Sequence, residues 1–284
     1  MGGRVSIVLG GTRGIGLALA RALSRDATGA DAVYLTARKP ADGERVVATL
    51  ANDGLRASWL PFDLADASSA GALASTLRER HGGVDVAVLN GAYVPGSGVP
   101  ASEDARPMIE ANNAGTLRFL KAFAPIARPD ARIVVVASGF GTLATLPEHL
   151  RPLFDTRVND AEAIDRAMAR YVAAVEAGTA ETDGWPAWVN LPSKVGQVAV
   201  TRAFARRLAH EARLAPGVLI NAACPGLTAT DATRDFLDTV FRGRTPQTPD
   251  EAAVDLLWLA RLPAGTAAPY AELVQHRRVL PFGD

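Results

Sequence analysis

Short apolar segments rich in valine, isoleucine and leucine alternate with longer alanine-rich segments along most of this chain. The short segments are apolar at nearly every position, which is typical of strands that are covered on both faces. The longer segments carry apolar residues at helical spacing. A chain in which strands and helices alternate in this way forms a parallel sheet with helices on both sides. The sequence therefore predicts a doubly wound, Rossmann-like α/β domain.

The predicted elements have definite bounds. The predicted strands are 4–10, 32–37, 57–62, 84–90, 131–138 and 218–223, with a weaker seventh strand at 272–274. The predicted helices are 14–26, 43–52, 68–81, 102–127, 192–213 and 249–262. Residues 161–178 have helical spacing in a stretch without strand signals, which predicts a helical insertion over about 145–183. Because no repeat or Pro/Ser-rich linker divides the chain, we expect residues 1–284 to form one domain.

Composition excludes several classes of function. The chain has 30 basic and 30 acidic residues, so we expect neither nucleic acid nor a membrane surface as a partner. The single cysteine, Cys224, and four scattered histidines lack the pattern of a disulfide framework or a metal site. No signal sequence or membrane-spanning run is evident. We therefore expect a cytoplasmic protein without a bound metal.

A glycine-rich run follows the first predicted strand directly. It reads Gly10-Gly11-Thr12-Arg13-Gly14-Ile15-Gly16 and opens the first predicted helix. Glycines in this position let the backbone turn sharply and let a phosphate approach the helix N-terminus. Because a second strand follows at βαβ distance, the run predicts a dinucleotide-binding loop. A tight turn without a ligand is the alternative.

The end of the second predicted strand indicates which dinucleotide would bind. An acid here would accept a hydrogen bond from a ribose 2′-hydroxyl, whereas a 2′-phosphate requires basic groups. The strand ends without an acid, Arg38 follows it, and Arg13 lies in the glycine run. Two guanidinium groups fit a 2′-phosphate, which predicts NADPH as cofactor. The alternative is that both arginines are solvated surface charges. Asp63 and Asn90 follow the third and fourth strands, where they can contact a ligand or cap a turn.

Further motifs follow in a definite order: Asp63-Leu64, Asn112, Ser138 with Gly141, Lys194 and Cys224-Pro225-Gly226. Together with the glycine run they resemble the short-chain dehydrogenase/reductases, and among them the NADPH-dependent carbonyl reductases, over essentially the whole chain. The resemblance implies cofactor contacts from Gly10, Thr12, Arg13, Gly14, Ile15, Gly16, Arg38, Asp63, Leu64, Asn90, Lys194, Pro225, Gly226 and Thr228. It also implies a monomer, because the insertion resembles one that covers the face on which many members associate.

The same resemblance implies an unusual catalytic set. Asn112 would be the supporting residue, Ser138 would hold the substrate carbonyl, and Lys194 would bind the nicotinamide ribose while lowering the pKa of an acid at position 190. The family has tyrosine there, but this chain has Asn190. An amide cannot give up a proton at neutral pH, and loss of a general acid costs about 10²–10⁴ in rate. Asn190 could contact substrate or could instead be the N-cap of the following helix.

The proton must then come from elsewhere. Tyr93 follows the fourth predicted strand and Tyr171 lies in the insertion, so either phenol could reach the site, although packing is the alternative for both. A water held by Lys194 and Ser138 is a third source. A substrate whose carbonyl is already hydrogen-bonded to its own phenol would need less help from the protein.

These expectations combine into one functional hypothesis. The chain is predicted to be an NADPH-dependent reductase for a bulky apolar carbonyl compound, such as an aromatic or polyketide-type ketone. Residues 229–244 are predicted to form a substrate lid, with Phe236, Leu237 and Phe241 lining a pocket, or else a plain amphipathic helix. Two alternatives remain open. One is a non-redox cyclase, dehydratase or isomerase, and the other is a catalytically silent NADPH-binding protein.

Overall fold

A single eight-stranded sheet forms the centre of the molecule, whose computed structural model describes residues 3–96 and 98–284. Its strand order is β3-β2-β1-β4-β5-β6-β7-β8. The strands are Val5–Leu9 (β1), Ala32–Ala37 (β2), Ser58–Pro61 (β3), Val84–Leu89 (β4), Ala127–Val136 (β5), Leu219–Cys224 (β6), Leu273–Gln275 (β7) and Arg278–Leu280 (β8). The pairs from β3 to β7 are parallel, which confirms the predicted doubly wound architecture.

Helices cover both faces of this sheet. They are Gly14–Arg25 (α1), Pro40–Asn52 (α2), Ser69–His81 (α3), Ala101–Ile109 (α4), Gly115–Phe123 (α5), Ala161–Glu176 (α6), Asn190–His210 (α7), Arg234–Leu237 (α8) and Pro249–Ala260 (α9). The chain order reverses at β1, which lies between β2 and β4. Ligands of open α/β sheets bind beyond the carboxyl ends of the strands at such a reversal.

The prediction of one uninterrupted helix over 102–127 is wrong. A five-residue π-helical segment, Glu110–Ala114, separates α4 from α5, and the Gly115 amide donates to the Glu110 carbonyl five residues earlier. The Arg118 side chain donates to a carboxylate oxygen of Glu110 at 2.6 Å and to the Glu110 carbonyl at 3.1 Å. These bonds hold the wide turn, and π-helical turns of this kind occur frequently at functional sites.

The last strand was not predicted from the sequence. The weak seventh strand is present as β7, and β8 pairs with it in antiparallel register. His276 and Arg277 connect the two with φ angles of 49° and 61°. Positive φ at both central residues is the geometry of a two-residue hairpin turn, which usually carries Asn or Gly. The count is therefore eight strands, one more than predicted.

The predicted insertion contains α6, which packs directly against α7. Ile164, Met168 and Tyr171 of α6 are fully buried. The contact is close because α7 has glycine at position 196, where a Cβ atom would lie 2.8 Å from the sulfur of Met168. The insertion thus covers one side of the long helix α7. Separately, none of the described helices has the length and apolar character that crossing a bilayer requires.

A buried arginine attaches α7 to the last residues of the described chain. Arg202 of α7 is 3% exposed and donates to the Asp284 carboxylate at 2.9 Å and to Glu272. Its guanidinium carbon also lies 5.0 Å from the centre of the Phe282 ring. Burial alone would raise the pKa of Asp284, but the hydrogen bond from Thr156 and the positive charge of Arg202 outweigh it and lower the pKa.

Removing this arginine should destabilise the fold strongly. We expect Arg202→Met to lower the free energy of unfolding by about 3–5 kcal/mol, because it leaves a buried carboxylate without its main partner. Arg206→Met is the matched control, since Arg206 lies on the same helix and its half-exposed side chain is 3.8 Å from the same carboxylate. The control should cost less than about 1 kcal/mol. Urea unfolding followed by circular dichroism measures both, and equal losses would contradict this account of α7.

Candidate active site

The glycine run forms a tight loop at the point where the sheet order reverses. Gly10 has φ of 79°, and its amide donates to the Thr36 hydroxyl at 2.9 Å. The Asn90 side chain donates to the Gly10 carbonyl at 3.1 Å. A Cβ atom at Gly16 would lie 2.1 Å from that same carbonyl oxygen. The loop is therefore held from β2 and β4, and glycine at position 16 is required by close backbone approach.

The N-terminus of α1 has the features of an anion-binding site. Arg13 precedes the helix in an extended conformation, α1 has no side-chain N-cap bond, and its first turn contains no acid. The amides of the first turn therefore keep their donor capacity, and the helix dipole favours negative charge there. Residues 10–16, with Thr12, Gly14 and Ile15 among them, form a cradle that fits a phosphate group.

Exposed basic residues lie in the glycine run and directly after β2. Arg38 and Lys39 follow the end of β2 and are exposed, as is Arg13. Arg13 lies 3.6 Å from Asp231 of the predicted lid, and both side chains are more than half exposed. The methyl group of Thr230 lies 3.3 Å from the Cβ position of Gly14. The lid segment thus contacts the glycine loop directly.

The residues after β3 have local roles in the backbone. The Asp63 carboxylate accepts from the Ala65 amide at 3.0 Å, so this side chain caps a turn, as one of its two predicted roles requires. Leu64 packs against Gly115 at the start of α5, where a Cβ would lie 2.8 Å from a Leu64 methyl carbon. These contacts fix the loop after β3 beside the π-helical segment.

The loop after β6 lies on the opposite side of the crevice. Gly226 has φ of 82°, which explains glycine after Pro225. Thr228 is buried, and its hydroxyl donates to the Gly226 carbonyl at 3.2 Å. The Gln247 side chain donates to the Pro225 carbonyl. The predicted cofactor residues of this loop thus form a compact turn at the carboxyl end of the sheet.

The backbones of Ser138 and Lys194 lie close together at the carboxyl end of the sheet. Ser138 follows β5, and its hydroxyl accepts from the Phe140 amide at 3.2 Å. A Cβ at Gly141 would lie 2.8 Å from the Lys194 carbonyl and 3.0 Å from that of Ser138. Because position 141 is glycine, the loop that contains Ser138 can pack against α7. The predicted catalytic roles of Ser138 and Lys194 require this loop and this helix to lie close together.

Lys194 is partly buried, and its ammonium group lies 3.1 Å from the side-chain oxygen of Gln197. Burial lowers the pKa of Lys194 to about 8, and interaction with Cys224 opposes that shift. Burial also raises the pKa of the Cys224 thiol. Desolvation therefore makes Lys194 a stronger acid than a fully solvated lysine.

Asn190 is the first residue of α7, one turn before Lys194. The alternative that it is the N-cap is wrong, because Val189 holds that position and Asn190 is already helical. Among the described residues no side-chain hydrogen bond involves Asn190. Pro192 is the third helical residue, so it lies in the first turn as predicted. The amide of Asn190 thus remains available on the same helical face as Lys194.

Asn112 lies in the π-helical segment and is fully buried. Its side chain accepts from the Tyr93 amide at 2.8 Å and donates to the Tyr93 carbonyl at 2.9 Å. The Tyr93 hydroxyl donates to the buried carboxylate of Asp104 at 2.7 Å. This bond, together with burial, raises the pKa of Tyr93. Tyr93 is therefore fixed at the rim of the site with its proton already bound to an acceptor.

A continuous chain of buried hydrogen bonds connects Lys194 with Asn112. The Lys194 ammonium donates to Gln197 at 3.1 Å, Gln197 donates to the Thr116 hydroxyl at 3.2 Å, and Thr116 donates to the Asn112 carbonyl at 2.6 Å. Gln197 and Thr116 are fully buried. Gln197, Thr116 and Asp104 were not predicted from the sequence, although a glutamine within an otherwise apolar helical stretch is a signal that could have identified Gln197.

A cleft of about 370 Å³ opens beside Asp104 and the residues that precede α7. It lies between the loop after β4, the start of α7 and the lid segment, and is lined by Asp104, Trp188, Val189 and Phe236 among others. Trp188 packs against Phe236 and Phe140 with ring centres 5.9 Å and 5.5 Å apart, and Phe140 stacks on Phe241 at 6.1 Å. The lid is mostly turns around the four-residue α8, so the alternative of a plain amphipathic helix is wrong.

Comparison with known proteins agrees with this geometry. Residues 4–147 match the family model described as short chain dehydrogenase. This chain belongs to the short-chain dehydrogenase/reductase family. It is 31% identical over 282 residues to carbonyl reductase [NADPH] 1 of Pongo abelii, with 98% of each chain covered. It is 33% identical over 281 residues to carbonyl reductase [NADPH] 3 of Homo sapiens, with 97% of each covered.

Solved structures of family members show the same fold. Salutaridine reductase from Papaver somniferum superposes with a TM-score of 0.80 at 22% identity, covering 95% of this chain and 99% of that one. Actinorhodin polyketide ketoreductase superposes with a TM-score of 0.66 at 23% identity, covering 97% of each. Among the described residues, no group of three or more His, Cys, Asp and Glu side chains could hold a metal ion.

The close approach at Gly16 gives a test of the cofactor loop. We expect Gly16→Ala to destabilise the protein by about 1–3 kcal/mol, because the added carbon would overlap the Gly10 carbonyl and the Asn90 side chain. The matched control is Gly71→Ala in α3, where nothing lies within 4 Å of the added carbon. The control should stabilise by about 0.5–1 kcal/mol, because alanine restricts the unfolded chain. Thermal unfolding that showed the same effect for both variants would exclude this packing constraint.

Proposed function

We propose that this protein is an NADPH-dependent carbonyl reductase that reduces a bulky, aromatic ketone. The observation that carries the proposal is the full-length similarity to enzymes named carbonyl reductase [NADPH]. It is supported by the glycine loop and by the packing of the Ser138 loop against the helix that contains Lys194. The residues present fit both the cofactor and the substrate class.

The cradle of residues 10–16 would hold the diphosphate on the uncapped N-terminus of α1. Arg13 and Arg38 would bind the 2′-phosphate, since β2 ends without an acid that could select the unphosphorylated ribose. Asn90, Lys194 and the loop of Pro225, Gly226 and Thr228 would border the nicotinamide half. The bound cofactor supplies a hydride for the carbonyl carbon.

The side chains of the site would stabilise the charge that develops on the substrate oxygen. The Ser138 hydroxyl and the Asn190 amide can both donate hydrogen bonds to it. Donors that are already fixed before the reaction contribute strongly to such stabilisation. Ser138 is fixed by the Phe140 amide and by packing of its loop on α7. Asn190 can add a hydrogen bond but no proton.

The cleft supports an aromatic substrate. Four aromatic rings, from Phe140, Trp188, Phe236 and Phe241, form one connected cluster at the lid side of the site. Clusters of this kind bind flat rings by stacking and edge contacts. A cleft of about 370 Å³ lies within the size range of small-molecule sites. The cluster would therefore select for bulky apolar ketones over small polar ones.

Two further properties accompany the proposal. The burial of Ile164, Met168 and Tyr171 of α6 against α7 supports a monomer, because α6 occupies a face on which another subunit could pack. A cytoplasmic location stays a prediction from the single cysteine.

Arg38 provides a test of cofactor choice. We expect Arg38→Ala to weaken NADPH binding about 10- to 100-fold with little effect on NADH, because a charge-assisted bond to phosphate contributes about 1.5–3 kcal/mol. Arg45→Ala is the control, since Arg45 is an exposed arginine of α2 that pairs with Asp42. Isothermal titration calorimetry measures both coenzymes. Unchanged NADPH binding in Arg38→Ala, or tighter binding of NADH by the unchanged protein, would exclude NADPH selection by this residue.

Asn190 tests the reaction itself. We expect Asn190→Tyr to raise kcat for simple aromatic ketones about 10- to 1,000-fold, because the phenol restores a positioned acid beside Lys194. Asn190→Phe has the same bulk without the hydroxyl and should give no increase. NADPH oxidation at 340 nm measures both variants.

The outcomes separate the remaining functions. No gain in Asn190→Tyr, with the fold intact, would mean that position 190 is not the acid site. Turnover of a carbonyl compound without cofactor consumption would favour a cyclase, dehydratase or isomerase. Tight NADPH binding without turnover of any compound in a broad panel would favour a silent binding protein.

A further inference from the structure

We propose that Lys194 is itself the proton donor of the reduction and that Gln197 is the positioning residue that holds its ammonium group. This inference rests on the proposed function. It assigns a catalytic role to a lysine that, in the resemblance described above, only assists a tyrosine. It also assigns a role to a buried glutamine that no motif of the chain includes.

The other candidate donors are engaged or inert. The Tyr93 hydroxyl donates to the Asp104 carboxylate at 2.7 Å, and Asp104 also accepts from the Gly96 amide at 2.9 Å. Tyr171 is fully buried in the core, with its ring 4.7 Å from that of Trp185. Asn190 has an amide, which does not release a proton near neutral pH. Lys194, which was predicted only to hold a water as the proton source, is an acid with one described side-chain acceptor, Gln197.

The network defines the orientation of Gln197. Thr116 uses its single proton on the Asn112 carbonyl, so its hydroxyl oxygen must accept from the Gln197 amide nitrogen. The amide oxygen of Gln197 therefore faces Lys194, which can only donate. One of the three ammonium protons is held by this bond, and two remain for ligands in the crevice. Since Gln197 and Thr116 are fully buried, water does not compete for these bonds.

The position of the lysine fits the role. Lys194 and Ser138 flank Gly141, and the ammonium group interacts with Cys224 at the end of β6. β6 is the direct neighbour of β5, which Ser138 follows. The ammonium group thus lies at the carboxyl ends of these two strands. An acid whose pKa is about 8 is well matched to proton transfer near neutral pH.

The ketone would receive its hydride and its proton from different donors. Bound NADPH would supply the hydride for the new C–H bond at the carbonyl carbon, and this two-electron reduction of the ketone would leave NADP⁺. One N–H bond of the Lys194 ammonium breaks, and its proton forms the O–H bond of the product alcohol. The neutral amine then takes a proton from solvent, which restores the starting state.

Because the chain contains few lysines, the titration of Lys194 can be observed directly. The chain contains three lysines, Lys39, Lys121 and Lys194, and the first two are exposed. Protein labelled with ¹³C at lysine Cε therefore gives three signals, which Lys39→Arg and Lys121→Arg assign. We expect the cofactor-free protein to show one signal that titrates well below the other two. A Lys194 signal that titrates together with them would overturn the proposal.

Variants of Gln197 test the positioning role in the same spectra. Gln197→Met keeps the bulk but removes the acceptor of the ammonium, so the pKa of Lys194 should fall by about one unit. Gln197→Glu places a carboxylate there, so the pKa should rise by about one unit or more. Thr201→Val is the matched control. It removes another buried hydroxyl of α7, which donates to the Gln197 backbone carbonyl at 2.9 Å, and should leave the pKa unchanged.

The pH dependence of kcat tests the donor role. Because the protonated lysine is the active form, kcat should fall as the pH rises through the pKa of Lys194. This alkaline limb of the kcat profile should move to lower pH in Gln197→Met and to higher pH in Gln197→Glu. The size of each movement should equal the shift in the pKa of Lys194 that the spectra measure. Cys224 is the titratable group that acts on Lys194.

Each result has a distinct meaning. If the Gln197 variants leave the Lys194 titration unchanged, the positioning role is wrong. If the titration moves but the limb of kcat does not, Lys194 is not the donor, and a bound water becomes the source. If the unchanged protein reduces no carbonyl compound, the proposed function and the donor role fail together, while the spectra still decide the role of Gln197.

Discussion

The requirement that buried polar groups find partners inside the protein organises this site. Asn112, Asn113, Thr116, Ser193 and Gln197 are all fully buried where the π-helical segment and α5 meet α7. Each unpaired group would cost about 1–3 kcal/mol, so the two helices are held in the one register that satisfies all of them. Asn113, for example, exchanges two hydrogen bonds with Ser193, at 3.0 and 3.1 Å. The position of Lys194, the next residue, follows from that register.

The sheet and the cofactor loop were predictable because their signals are local. Strands buried on both faces appear as apolar runs, and the glycine run of residues 10–16 directly follows the first of them. The π-helical segment was not predictable in this way, since Glu110–Ala114 has ordinary helical residues. Its wide turn depends on Arg118 and on packing against α7. The β7–β8 hairpin was missed because His276 and Arg277 adopt positive φ without the usual Asn or Gly.

The candidate site residues also differ in whether a local signal in the sequence predicts them. Ser138, Lys194 and Asn112 were predicted from the order and spacing of motifs, and Gly141 lies against the backbones of the first two. Asp104 and Thr116 were not found, because each acts through a partner that is distant along the chain or lies on another helix. Their roles become visible only when the loop after β4 folds back on α4 and when α5 packs on α7. Contacts of this kind have no signature in a single sequence.

Two residues on the same helix as Lys194 are physically coupled to it. Asn190, Lys194 and Gln197 are spaced at i−4, i and i+3, so they share one face of α7. A tyrosine at position 190 would need a lysine whose charge stays fixed, because that charge lowers the pKa of the phenol. An asparagine removes this requirement. The lysine can then be buried more deeply, and burial itself makes it a better acid, provided that a neutral acceptor such as Gln197 holds the ammonium in place. A carboxylate at position 197 would instead stabilise the ammonium and weaken it as an acid. Glutamine at this position therefore fits a site in which the lysine proton is meant to leave.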